Sequence, residues 1–323
     1  MTMTETTAPV PGGSSPIDVM GRKALWFGIS IAYLVPCLIA IALCFAKFGA
    51  PVKLGIDFTG GTLMEVTFDR GVNVENVREV FEKRDIPPHV MASQDARTFS
   101  IRTPFIEKSV SLEIKRDLRE VSTFAETRFR LESVGPTIGR ELLRNAAYAL
   151  GFGILGILLY ITFRYQFDFA LSAIIAMVHD GVIMIGTFSL LSLLGGAEAD
   201  GLLVVALLTI MGFSVHDTIV IFDRFRENLT QAKKGDTFGD VANRSVNQTF
   251  ARSINTSLTL VLTLLPLVLF GGPTIFHFTF VMLVGVISGT YSSIFNASPI
   301  LVLIRERNRR NGTTPQAPAP AQA

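Results

Sequence analysis

Cysteine and charge are what this chain has least of: two cysteines in 323 residues, and only 17% Asp, Glu, Lys and Arg. Cys37 and Cys44 stand seven apart in one apolar segment. On a helix that separation is about 10 Å, too far for a bridge, so they supply no disulfide framework and report nothing about redox compartment. The net charge is +2, which leaves no overall field to draw nucleic acid. The charged stretch 48–139 contains no nucleotide-binding glycine loop, metal-spaced Cys/His cluster or nucleophile elbow. No catalytic, cofactor-binding or metal-ligating set is therefore read from the chain. What it has in quantity is apolar residues, 49% of the total, the composition of a membrane protein with a soluble part.

The chain is organised around Leu202–Arg226, LLVVALLTIMGFSVHDTIVIFDRFR. About 20 apolar residues suffice to cross a bilayer. This stretch does so while carrying His216 and Asp217 inside the span, and it ends on Asp223, Arg224 and Arg226. A charged, unpaired carboxylate in hydrocarbon costs several kcal/mol, roughly 3 or more at mid-span. Asp217 therefore needs a partner, a proton or a wet cavity. It reads either as a hydrogen-bonded helix clamp or as a proton or ion site.

Residues 1–20 form a Thr/Pro/Gly/Ser-rich start expected to be disordered. Arg22 and Lys23 precede the apolar run Ala24–Ala46, too long for the core of a cleaved signal and read as a retained span. Basic residues ahead of it place the N-terminus in the cytoplasm. The charged stretch 48–139 then lies on the exported side. Its patterns predict strand Thr62–Phe68, helix Val74–Lys83 with Asn73 as N-cap, and strands Val90–Ser93 and Thr98–Arg102 about a turn near Asp95. A helix Lys108–Glu120 and a strand Arg128–Val134 follow. The order β-α-β-β-α-β is that of a ferredoxin-like sandwich. His89, after Pro87–Pro88, reads as a loop residue.

Five further spans are expected within 145–304, at Asn145–Phe163, Phe169–Leu194, Leu202–Phe222, Ile254–Phe270 and Phe276–Ile304. Gly195–Gly201 and Gly271–Ile275 carry no Lys or Arg, whereas Arg164, the Asp223–Arg252 loop and the tail beginning at Arg305 are basic. That asymmetry puts both termini, including the tail 305–323, in the cytoplasm. Small residues recur four apart at Ala147 and Gly151, at Ser172 and Ala176, and at Gly285, Gly289 and Ser293, marking close packing or a docking face.

Two His–Asp steps fall inside spans: His179–Asp180 near the middle of one, and His216–Asp217 roughly 9 Å from the end of the next. Arg252 opens the fifth span among Asn247, Thr249, Ser253, Asn255, Thr256 and Ser257, a set more suited to a wetted cavity than to lipid. Arg252 either snorkels to the surface or reaches Asp217. An Asp beside Arg holds its charge and an Asp alone in hydrocarbon holds a proton, so a helix shift between the two arrangements would load and unload a proton.

At these residues the chain resembles a known family. Gly55-Ile-Asp-Phe-Thr-Gly-Gly-Thr62 and Asp217-Thr-Ile-Val-Ile-Phe-Asp-Arg-Phe-Arg-Glu-Asn228 are similar to the signatures of the SecF family of the bacterial protein-export machinery. Arg252-Ser-Ile-Asn-Thr-Ser257 and Phe270-Gly-Gly-Pro273 look like it too. The motif residues carried over are Gly55, Asp57, Gly60, Gly61, Asp223 and Arg224. The resemblance implies an α-helical membrane protein of six transmembrane helices, an RND-transporter-like half, with one exported α+β ferredoxin-like domain between the first and second spans. It further implies a bacterial inner-membrane translocase subunit and not an enzyme. Such a subunit works with SecD and the SecYEG channel, uses the proton motive force late in export, and handles unfolded exported clients in a lipid bilayer. YajC is a further partner on this reading. The family's proton-pathway residues fall on Asp217 and Arg252, with His216, where the family usually has Asn, and Asp180 beside them. Other readings are an RND-like half-transporter for a small molecule or lipid, a passive scaffold, and an aspartyl protease built on Asp180 and Asp217. The last lacks a glycine immediately before Asp217.

Overall fold

In the computed structural model the described residues are 17–92 and 96–310. They divide into two compact units. One takes in the chain up to Leu38, Leu158–Met184 and everything from Thr209; the other takes in Ile39–Ile157 and Ile185–Leu208. The expected turn at Asp95 and the end of the strand expected to reach Ser93 lie outside the described residues, as do positions 1–16 and 311–323.

The second unit holds the α+β domain. After helix α1 (Lys23–Phe48) come a one-turn α2 (Ile56–Thr59), β1 (Gly61–Thr67), α3 (Val74–Glu82), β2 (His89–Ala92), β3 (Thr98–Thr103), α4 (Lys108–Val121) and β4 (Phe129–Val134). The sheet runs β2-β3-β1-β4, every neighbour antiparallel. This is the strand order of a ferredoxin-like sandwich. Alternation sets the inner face: Met64, Val66 and Phe68 point inward while Glu65 and Thr67 point out. They close on Val77, Val80 and Phe81 of α3, Phe99 and Ile101 of β3, and Ile114 and Leu118 of α4. The Asn73 side chain accepts from the Glu75 amide at 3.1 Å and caps α3. His89 is not a loop residue; it opens β2 opposite Arg102. Pro87–Pro88 forces extended backbone just ahead of it, and a short edge strand needs no apolar alternation to announce it.

Six helices among the described residues are long and apolar enough to cross a membrane: α1, α5 (Pro136–Arg164), α6 (Phe167–Gly195), α7 (Gly201–Thr230), α8 (Phe238–Phe270) and the last, Ile275–Arg310. Several run past the bounds their apolar runs predict. α5 begins at Pro136 and α8 at Phe238, where Thr237 and Asp240 form a capping box. Helix geometry does not stop where hydrophobicity does, because polar turns continue the ladder in water. The last span is not uniform: α9 (Pro273–Ser292) passes through one π turn, Ser293–Ala297, into α10 (Ser298–Arg310). α6, α7 and the last span are the most buried of the six, whereas α5 turns almost all of its apolar residues outward. Cys37 and Cys44 are both buried and are not bridged to each other.

Candidate functional site

The Gly55–Thr62 stretch is a clip within the second unit. Gly55 donates its amide to the Ala199 carbonyl at 2.8 Å, and Ala199 donates to Lys53 at 2.7 Å. This pins the chain after α1 to the α6–α7 loop. The Asp57 carboxylate accepts from the Gly201 amide at 3.2 Å, at the first turn of α7, where donors are otherwise orphaned. Gly60 and Gly61 have φ of 74° and 133°. A Cβ on Gly60 would lie 2.8 Å from the Pro136 Cα, and one on Gly61 2.9 Å from the Thr103 carbonyl. The glycine pair lets the strand leave α2 and pass flush against the start of α5. Glu198 of the same loop bridges Lys53 at 2.8 Å and Arg102 of β3, all three largely buried. Burial pushes the Arg102 guanidinium down to about 10 and the Lys53 ammonium below its ordinary range. Burial raises the Asp200 carboxyl.

The first unit contains both intramembrane carboxylates. Asp180 is wholly buried. Its Oδ2 accepts from Ser214 of α7 at 2.5 Å and from Ser292 of α9 at 2.6 Å. Its Oδ1 accepts from Ser288 of α9 at 2.8 Å and faces His179 Nδ1 at 3.0 Å. The His179 Nε2 lies 3.4 Å from the Asn296 amide nitrogen, and Asn296 Oδ1 accepts from Ser30 at 2.8 Å. Those contacts agree with one neutral tautomer, Nδ1–H toward Asp180 and Nε2 accepting from Asn296. The stripe of small residues admits the approach, since Gly289 sits where a Cβ would be 3.0 Å from that of Ser214.

Asp217 lies on the same helix as Ser214, three residues on. It is buried, and its Oδ1 accepts from Ser253 of α8 at 2.7 Å. Its Oδ2 is buried and has no hydrogen-bond partner among the described residues. Arg252 is exposed and forms no ion pair with Asp217; its neighbour Ser253 makes the contact instead. Successive helix residues point about 100° apart, so Ser253 facing Asp217 turns Arg252 away. The same geometry leaves His216 exposed beside the buried Asp217. One turn along, Ser257 of α8 meets Thr290 of α9.

Asp223 and Arg224 tie the end of α7. Asp223 accepts from the Tyr165 hydroxyl at 3.0 Å and lies 3.7 Å from Arg164 and 3.9 Å from Arg226. Burial and the Asp223 contact raise the Tyr165 hydroxyl. Arg224 holds Gln248 and Glu227, each at 2.6 Å, and Asn228 reaches Ser245 and Gln248 of α8. No group of three His, Cys, Asp or Glu placed to hold a metal is present among the described residues. The serines around Asp180 and the Asn296 amide escape sequence reasoning. Their only signal is the four-residue spacing of Ser288 and Ser292 beside that of Gly285 and Gly289.

Six membrane-length helices with a ferredoxin-like domain after the first define a polytopic membrane protein. The family model described as protein export membrane protein SecD/SecF, C-terminal, matches residues 113–307, and the SecD/SecF GG motif matches residues 48–72. The chain belongs to the SecD/SecF family. It is 39% identical over 302 residues to the protein translocase subunit SecF of Thermobaculum terrenum, covering 88% of this chain and 93% of the relative. It is 33% identical to the translocase subunit SecDF of Bacillus subtilis, covering 88% of this chain and 37% of that longer one. A crystal structure of SecDF from Thermus thermophilus, described as translocon-associated, superimposes with a TM-score of 0.77 at 34% identity. That match covers 91% of this chain and 39% of the SecDF chain.

Proposed function

We propose that this protein is the SecF-type half of a proton-driven export motor, paired with a SecD-type half and acting beside the SecYEG channel late in translocation. The supporting observation is Asp217: buried in a membrane-length helix, held through one oxygen by Ser253, its other oxygen without a donor among the described residues. Such a carboxylate is unstable as a bare charge and is relieved by a proton or by a cation brought to it. Arg252, exposed one residue from Ser253, is within a helix rotation of supplying that cation. Alternation between Asp217 bearing a proton and Asp217 facing Arg252 couples proton passage to movement of α8 against α7. One charge crossing a potential of 100 mV is worth roughly 2.3 kcal/mol, about a 50-fold bias on a two-state equilibrium. His216 and Asp180 are assigned to the same pathway.

The matched SecDF chains are more than twice the length covered here, and the outward apolar faces of α5 and α8 are suited to the SecD-type half. YajC, unfolded clients and lipid are the remaining partners on this reading. The Lys/Arg asymmetry of the connections supports an inner-membrane orientation with both termini cytoplasmic and the domain 48–139 outside. The test is export of a secreted reporter in cells. Asp217→Asn and Arg252→Ala are each expected to abolish gradient-driven export while the protein stays inserted and co-purifies with its SecD partner. The double variant is expected to be no worse than either single one, since residues acting as a unit are non-additive. His216→Asn is expected to move the pH profile of export. Normal export by Asp217→Asn overturns the reading.

A further inference from the structure

We infer that Asp180 itself takes up a proton, at a second site on the pathway proposed for Asp217, worked by the Ser292 hydroxyl. Asp180 is wholly buried in the middle of α6. α7 gives it only Ser214, with Asp217 one turn away; α9 gives it Ser288 and Ser292. Among the described residues the one titratable group it touches is His179, on its own helix. No lysine or arginine is among its contacts in the described residues. A carboxylate so placed has hydroxyls in place of a counter-charge, and that leaves a net charge in hydrocarbon unless a proton can be accepted.

The geometry provides for the proton at one oxygen. Ser292 has a single hydroxyl hydrogen and two acceptors for it: Asp180 Oδ2 at 2.6 Å and the Gly289 carbonyl at 3.1 Å. With Asp180 ionised, the hydrogen points to Oδ2. When a proton from water bonds to Oδ2, the Ser292 hydrogen rotates to the Gly289 carbonyl, and the Ser292 oxygen accepts the new Oδ2–H. The Oδ2–H bond forms as an O–H bond of the hydronium ion that delivers the proton breaks and leaves water; the Ser292 hydrogen changes acceptor without leaving its oxygen. Ser214, Ser288 and His179 keep donating as before. His179 is not the carrier. Its Nε2 faces the Asn296 amide nitrogen, whose oxygen is engaged by Ser30, so a proton there would oppose a donor to a donor. Ser293, next to Ser292 and first in the π turn, bonds the Ser214 carbonyl at 3.2 Å and Thr218 at 2.8 Å. π turns inside helices concentrate at functional positions, and this one ties the Ser292 turn to the α7 segment Ser214–Thr218, which contains Asp217.

This site serves the proton-driven reading above, but its test does not depend on export. The full-length protein, in lipid nanodiscs, is titrated from alkaline to acid buffer in light and in heavy water, and infrared difference spectra are recorded in the carboxyl C=O stretching region. A deuterium-sensitive band is expected in the wild type and in Asp217→Asn, and its loss is expected in Asp180→Asn. Ser292→Ala is expected to keep that band but shift it, because the protonated carboxyl loses its acceptor. A carboxyl region unchanged by Asp180→Asn overturns the inference. If Asp180→Asn does not assemble, an unmoved band in Ser292→Ala overturns it equally. Should Asp217→Asn export normally while the Asp180 band is present, the export reading fails and this one stands; the opposite pair of results separates them the other way.

Discussion

Gly60 shows how a single backbone position governs a junction. Its φ of 74° and ψ of 166° lie in a region only glycine occupies at ease, and the Pro136 backbone fills the space a side chain would need. Gly60→Ala is expected to destabilise by about 1–3 kcal/mol from backbone strain, and further from the 2.8 Å contact with Pro136. A lower thermal midpoint of the purified protein checks it; an unchanged midpoint would mean the turn tolerates a side chain. The intramembrane acids show a different residue-scale rule. Asp180 and Asp217 stand in the same local string, Val-His-Asp, yet among the described residues one has four side-chain hydrogen-bond partners and the other has one. Neither arrangement was legible in the string, because hydroxyls from α7, α8 and α9 decide it.

Among the elements, α4 carries a testable electrostatic tie. Glu126, in the turn before β4, pairs with Lys115 and Arg119, one helical turn apart on α4. The Lys115 contact first, then Arg119, holds the Glu126 carboxyl below its ordinary range. A depressed native value means the folded state binds its proton less readily than the unfolded chain. The stability this confers is present above the ordinary glutamate value and is lost as pH falls through the native one. Urea unfolding of the fragment Gly55–Pro136, expected to fold alone with mixed α/β circular dichroism, should weaken on acidification across that window. Glu126→Gln should flatten this part of the profile and leave the acid limb coincident with the parent. Parallel profiles at all pH values would show that the tie contributes nothing. The same elements were largely readable in advance, since period-two and period-3.6 patterns survive wherever one face is buried. The start of β2 at His89 leaves no signal in the sequence, because an edge strand of four residues has too little pattern.

For the whole molecule the decisive property is sidedness. On a background with Cys37 and Cys44 replaced, a cysteine at Lys108 is expected to react with an impermeant maleimide added to intact spheroplasts. One at Lys233 is expected to react only after lysis. Both positions are exposed. The reverse pattern would invert the proposed orientation and with it the direction of the proton path. The long outward faces of α5 and α8 belong to the same scale. They carry Phe152, Leu155, Leu159, Leu262 and Leu269 where a soluble protein would place polar groups, and only lipid or another membrane chain satisfies them.

By itself the chain's order of residues determined the six spans, the α+β insertion and the family. Each of these depends on local hydrophobic period, on Lys/Arg asymmetry, or on a motif contiguous in sequence. Tertiary structure alone decided who meets the two carboxylates. Arg252 was legible as a cation near Asp217, but a helix turns about 100° per residue, so Ser253 faces inward and Arg252 outward. The serines that hold Asp180 come from positions 34 to 112 residues away. Hydroxyls are small, common and without periodic signal, so only the packing of α6, α7 and α9 could single them out.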